Sequence, residues 1–316
     1  MTKRVLVIGG SGMLGHKLVH VLSADPAFEV HATVRTAVDP RFRAAGAEYH
    51  AGIEIAPGDD GLARVLASLA PAVVVNAVGA IKQKKDLGSA LERTFFVNGT
   101  LPHLLPLLNP NRRAQVVHFS TDCVFVGDRG GYTEADQPDA EDVYGRSKAV
   151  GELAYGAHLT IRTSIVGFEL RDQLGLLGWF LRQPARSTLS GYTRAIFSGL
   201  PTVTLSRTVR DLLGRDEPLR GQYHVASDPI AKFDLLARVA AAFDLEHTLV
   251  PSEAVVIDRS LCDDRFRALT GTARPGWTEL VAELREDFAS LPYSDLYPEV
   301  PRGRPAARPA GVTPAG

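Results

Sequence analysis

Val5-Leu6-Val7-Ile8, followed at once by Gly9-Gly10-Ser11-Gly12-Met13-Leu14-Gly15, decides how this chain is read. Four consecutive apolar residues without polar alternation describe a strand buried on both faces, as in parallel sheets covered by helices. Leu14, Leu18, Val21 and Leu22 then repeat at helical spacing. A strand, a Gly-rich turn and a helix form a phosphate cradle, because glycines let the backbone approach a pyrophosphate lying on the positive end of the helix. The G-x-x-G-x-x-G spacing is a weak sign alone. Placed between a strand and a helix, it makes Gly9, Gly12, Met13, Leu14 and Gly15 candidate contacts of a dinucleotide.

The second strand, 29–34, ends at Arg35, where an NAD-selective site usually carries an acid for the ribose diol. Arg35 suits a 2′-phosphate, so NADP(H) is preferred and NAD(H) allowed; a surface Arg that merely ends the strand is the other reading. Strand near 47–53, helix near 61–69 and the run Val73-Val74-Val75-Asn76 continue the alternation. Ala77, Val78 and Gly79 are small enough for a cofactor to pass close to the backbone at the carboxyl edge. Lys82 and Gln83 follow and either reach a substrate or belong to a solvated loop with Lys84 and Lys85. The fold class is α/β, a Rossmann-type doubly wound parallel sheet with a smaller C-terminal substrate-binding lobe.

Basic and acidic side chains balance at 35 against 36, so charge gives no reason to expect a nucleic-acid partner. No apolar run approaches the roughly 20 residues that cross a bilayer, and a cytoplasmic protein without a membrane partner is expected. Cys123 and Cys262 lack a C-x-x-C pattern, and Cys123 reads as a small buried hydrophobe. His16 and His20 stand at i,i+4 without a third ligand nearby, which favours a solvated helix face over a metal site. No metal is expected.

Val116 to Phe119 reads as the fifth strand, with Ser120 and Thr121 where it leaves the sheet. After a loop rich in Gly, Asp and Pro, Tyr144 and Lys148 lie four apart and so share one helix face. A Tyr hydroxyl can protonate a carbonyl oxygen that gains charge, and a neighbouring ammonium should lower its pKa. Asn98 interrupts an apolar helix and either faces water or makes a buried hydrogen bond.

Together with Asn76-Ala77-Val78-Gly79, Val97-Asn98-Gly99-Thr100, Ser120-Thr121-Asp122-Cys123-Val124-Phe125 and Tyr144-Gly145-Arg146-Ser147-Lys148, the glycine turn resembles the extended short-chain dehydrogenase/reductases. Within them it resembles the dTDP-4-dehydrorhamnose reductase group, over roughly 5–288. The resemblance implies reduction of a nucleotide-linked 4-keto-6-deoxy sugar. It assigns Thr121, Tyr144 and Lys148 to a catalytic triad, has Asn98 support Lys148, and places Thr163 and Ile165 at the nicotinamide. Cys123 stands where the family usually has an aromatic residue. An epimerase or dehydratase on the same fold, and a non-catalytic NADP-binding regulatory subunit, are the rival readings. A homodimer is allowed for.

The expected cofactor domain covers 1–167, with 202–226 returning to it. The substrate lobe covers 168–201 and 227–290, and the Pro-rich stretch 291–316 is expected to be disordered. Arg194 is either a contact for the substrate diphosphate or a surface charge.

Overall fold

A computed structural model describes residues 2–81 and 91–301. Its framework is a seven-stranded sheet built from β1 (Lys3–Ile8), β2 (Phe28–Val34), β3 (Glu48–Ala51), β4 (Val73–Asn76), β5 (Gln115–Thr121), β6 (Leu159–Thr163) and a last strand, Gly221–His224. Across the sheet the order is Gly221–His224, β6, β5, β4, β1, β2, β3, and every neighbouring pair is parallel. Order reverses beside β1, which opens a crevice at the carboxyl ends of β1 and β4.

The continuous apolar runs are explained by two covered faces. Val5 and Val7 join one core with Val30, Ala32 and Val75, while Leu6 and Ile8 join another with Val74 and Leu62. Helices α1 (Met13–Ser23), α2 (Gly61–Leu69), α3 (Leu91–Phe95), α4 (Leu101–Leu108) and α5 (Val143–Val150) lie between the strands in sequence. α6 (Leu176–Leu181) follows, then α7 (Thr202–Leu213), which precedes the returning strand. A smaller part combines α8 (Lys232–Ala242), α9 (Asp264–Thr270) and α10 (Trp277–Ser290) with short sheets, one of them made by Ile230–Ala231, Ala195–Phe197 and Ile257–Asp258. The fold is thus the expected doubly wound α/β sheet.

Two expectations are corrected here. Residues 291–301 pack rather than trail: Tyr293 and Tyr297 are fully buried, and Tyr293 stacks at 4.6 Å on Phe168. Pro292, Pro298 and Pro301 around them obscured an apolar pattern of Tyr293, Tyr297 and Val300. His16 is not solvated either. Its Nε2 lies 2.5 Å from the Tyr293 hydroxyl, and burial holds its pKa down at about 3. Beside it, Lys17 forms an ion pair with Asp287 of α10, with both side chains buried. The polar face of α1 is therefore an interior seam beneath the C-terminal segment, a cover that helical periodicity cannot reveal.

Candidate active site

The carboxyl ends of the strands border a cleft of ≈ 720 Å³. One wall is local in sequence. Gly9 adopts φ +86°, and a Cβ on Gly15 would stand 2.0 Å from Gly9 O, so the turn and the first turn of α1 can close together only without side chains. Gly9, Gly12, Met13 and Leu14 line the cleft with Arg35, Ala77, Val78 and Gly79. Backbone N–H groups at the N-terminus of α1 give this wall the character of an anion site, and an exposed Arg35 stands at its β2 end. These residues fit a dinucleotide phosphate. Gly15 does not line the cleft; it permits the close packing behind it.

The facing wall is assembled from distant segments. Thr121 ends β5, and its Oγ1 accepts from Cys123 N at 3.1 Å and donates to Asp122 at 3.0 Å. Asp142 caps α5 by accepting from Gly145 N at 2.9 Å. A Cβ on Gly145 would lie 2.2 Å from Cys123 O, so glycine lets the start of α5 sit directly on the turn after Thr121. That contact sets Tyr144 beside Thr121 in the cleft lining, near enough for the Thr121 hydroxyl to act on its pKa. One turn further along, Lys148 donates to Phe119 O at 2.5 Å, and its Nζ lies 3.4 Å from His118 Nε2.

The electrostatics differ from the expectation. Burial raises the Tyr144 pKa, reinforced by the Cys123, Asp122 and Asp142 charges and opposed by the Thr121 hydroxyl. Burial also pushes Lys148 down to about 8, against the pull of Glu152. The phenol therefore holds its proton, because desolvation outweighs the lowering contributions around it. Burial raises Cys123 to about 12, so the thiol keeps its proton in the cleft wall, and burial raises Asp122 as well.

Thr121, Tyr144, Lys148, Thr163 and Ile165 all border the same cleft. Asn98 does not: it sits fully buried in a π-helical turn, Phe96–Thr100. Its side chain accepts from Ala80 N at 2.8 Å and donates to Ala80 O and to Ser147 Oγ at 3.0 Å each. The amide thus pins the segment after β4 to the helix of Lys148, through the neighbouring Ser147. Arg194 is exposed and lies outside the cleft lining, at the start of the segment whose Ile196 and Phe197 do line it. Lys82 and Gln83 lie outside the described residues.

Sequence reasoning missed Arg259 and Lys232, two cations that line the cleft from the smaller part. Arg259 donates to Phe125 O at 2.7 Å and approaches Cys123 Sγ at 3.9 Å. Glu152, which the family motif includes, was given no role; its carboxylate accepts from Ser120 Oγ at 2.7 Å and pairs with the buried Arg162 at 2.7 Å. The Glu152 signal was present in the motif that carries Tyr144 and Lys148; no local signal marks Arg259.

Over 186 residues the chain is 33% identical to a probable low-salt glycan biosynthesis reductase of Haloferax volcanii, covering 55% of this chain and 61% of that protein. Over 157 residues it is 34% identical to a probable dTDP-4,6-dihydroxy-2-methyloxan-3-one 4-ketoreductase of Streptomyces antibioticus, covering 48% of this chain and 46% of that protein. The chain therefore spans about half to three fifths of the length of these relatives. A dTDP-4-dehydrorhamnose reductase of Bacillus anthracis, solved in complex with NADP, superposes with a TM-score of 0.73 at 19% identity, over 90% of this chain and 99% of that one. At that identity the likeness establishes the fold. The model of the RmlD substrate binding domain matches residues 3–256, and the chain belongs to that family.

Proposed function

We propose that the chain is an NADPH-preferring reductase of a nucleotide-diphosphate-linked 4-keto-6-deoxy sugar. The observation that carries this reading is the meeting of Thr121 and Tyr144 across one cleft from the glycine turn, with Lys148 one helical turn behind. Dinucleotide binding fits the wall of Gly9, Gly12, Met13 and Leu14, and Arg35 favours a 2′-phosphate. The chemistry that the bound cofactor supplies is a hydride for the ketone carbon. Tyr144 holds a proton at its hydroxyl and gives it to the ketone oxygen as that oxygen gains charge. Lys148, about 8 in pKa, is mostly an ammonium at neutral pH and offsets the charge left on the phenol. Thr121 orients the same oxygen, and Arg259 with Lys232 face the diphosphate from the smaller part.

The test offers the purified protein dTDP- and UDP-linked 4-keto sugars and follows net oxidation of NADPH. Stoichiometric consumption supports the reductase. Conversion of sugar without net consumption supports the epimerase or dehydratase, and NADP binding without turnover supports the regulatory subunit.

A further inference from the structure

On the face of the sheet that carries Leu6 and Ile8, the register sets polar residues where the apolar layer ends. β1 places Arg4 opposite Glu29, and β3 places Glu48 opposite His31 and His50 opposite Thr33. Alternation along each strand sends Glu29, His31, Glu48 and His50 to one face. His31 is buried at 4% exposure, His50 is partly buried and Glu48 is exposed.

We infer that His31, His50 and Glu48 form a binding site for a borderline divalent cation, Zn²⁺ first among them. His31 Nδ1 lies 3.2 Å from His50 Nε2 and 3.4 Å from a Glu48 oxygen, and His50 Nε2 lies 3.9 Å from the other Glu48 oxygen. Ligands about 2.0–2.1 Å from a tetrahedral zinc stand about 3.3 Å from one another, so the three donors converge as a coordination sphere requires. Two imidazoles and one carboxylate suit zinc or a neighbouring first-row ion better than magnesium or calcium. The outer partner is also built: His31 Nε2 lies 3.1 Å from Glu29 Oε1, and Arg4 holds that oxygen at 2.8 Å. A carboxylate on the distal nitrogen fixes the tautomer that leaves Nδ1 free to ligate. The exposed side of Glu48 leaves a coordination position for water.

The site ties β3, held on one side only, to β2 immediately before Thr33 and Val34, which line the cleft. It lies outside the machinery of reduction, so its test is independent of the proposed activity. Chelator-treated full-length protein is titrated calorimetrically with Zn²⁺, and with Co²⁺ followed by visible absorption. The expected result is about one ion per chain with a four-coordinate cobalt spectrum, both lost in His50→Ala. Glu29→Gln should weaken affinity by about 10–100-fold. Zinc should also raise the melting temperature of the wild type and leave that of His50→Ala unmoved. Because His50 and Glu48 are not deeply buried, metal-free melting curves of His50→Ala and Glu48→Gln serve as folding controls. Equal affinity in the wild type and both variants assigns the ions to other histidines and overturns the inference, as does absence of uptake, which leaves a hydrogen-bonded histidine pair.

Discussion

The two walls of the cleft are built on opposite principles. The wall of the glycine turn is backbone: eleven consecutive residues, Val5 to Gly15, give strand, turn and helix start, and side chains matter there mainly by being absent. The facing wall is side chain: Thr121, Tyr144 and Lys148 come from β5 and α5, and Arg259 comes from beyond the short strand Ile257–Asp258. A backbone wall tolerates change in its neighbours and fails abruptly when a Cβ intrudes. A side-chain wall loses one function at a time.

This contrast can be broken most sharply at Tyr144. Tyr144→Phe removes the proton donor and leaves the opposite wall intact, so kcat should fall about 10²–10⁴-fold with cofactor affinity unchanged. A kcat near wild type would remove Tyr144 from the chemistry. Gly15→Ala should break the other wall, since its Cβ meets Gly9 O. The expected cost is about 1–3 kcal/mol in urea unfolding, with weaker binding of cofactor and an unchanged distribution among sugar substrates. Wild-type stability would show that the turn relaxes freely.

Arg259→Ala should raise KM for the nucleotide sugar about 10–100-fold while kcat changes little, as expected for a charge-assisted contact worth about 1.5–3 kcal/mol. A fall in kcat alone would place Arg259 in the positioning of Cys123 and Tyr144 instead. Arg35→Ala is a smaller test of the first wall: it should lower the preference for NADPH over NADH about tenfold, measured as the ratio of kcat/KM values. The mildest effect concerns pH. Lys148 has a folded pKa lowered to about 8, and its charged form is the useful one, so kcat/KM should hold steady below that value and fall as pH rises through it. Because Tyr144 is raised, it stays protonated across the same window. Lys148→Arg, charged throughout, should flatten that limb, and an unchanged limb would assign it to another group.

Legibility in the sequence follows the same division. β4 and α2 agree residue for residue with the spacing of their apolar positions, because local periodicity carries that information. The glycine turn was legible for the same reason. Asn98 left its reading open, since a π-helical turn is invisible to a 3.6-residue pattern. Arg194 and Arg259 look alike as isolated arginines, and only the tertiary fold separates the exposed one from the one in the cleft. His31, Glu48 and His50 were equally silent, because they meet only through the register of β2 and β3. Desolvation was the other blind spot: the spacing of Tyr144 and Lys148 was visible, whereas the burial that raises one pKa and lowers the other depends on the whole fold.

The seam beneath α1 has a consequence for the order in which the protein is made. His16 meets Tyr293 across 277 positions, and Lys17 meets Asp287 across 270. During synthesis from the N-terminus, the helix that carries the glycine turn is made well before Asp287 and Tyr293, so Lys17 and His16 lack these partners until 270 and 277 positions later. Closure of that seam is a contact of very high sequence separation, which places completion of the glycine wall among the slowest and last events of folding.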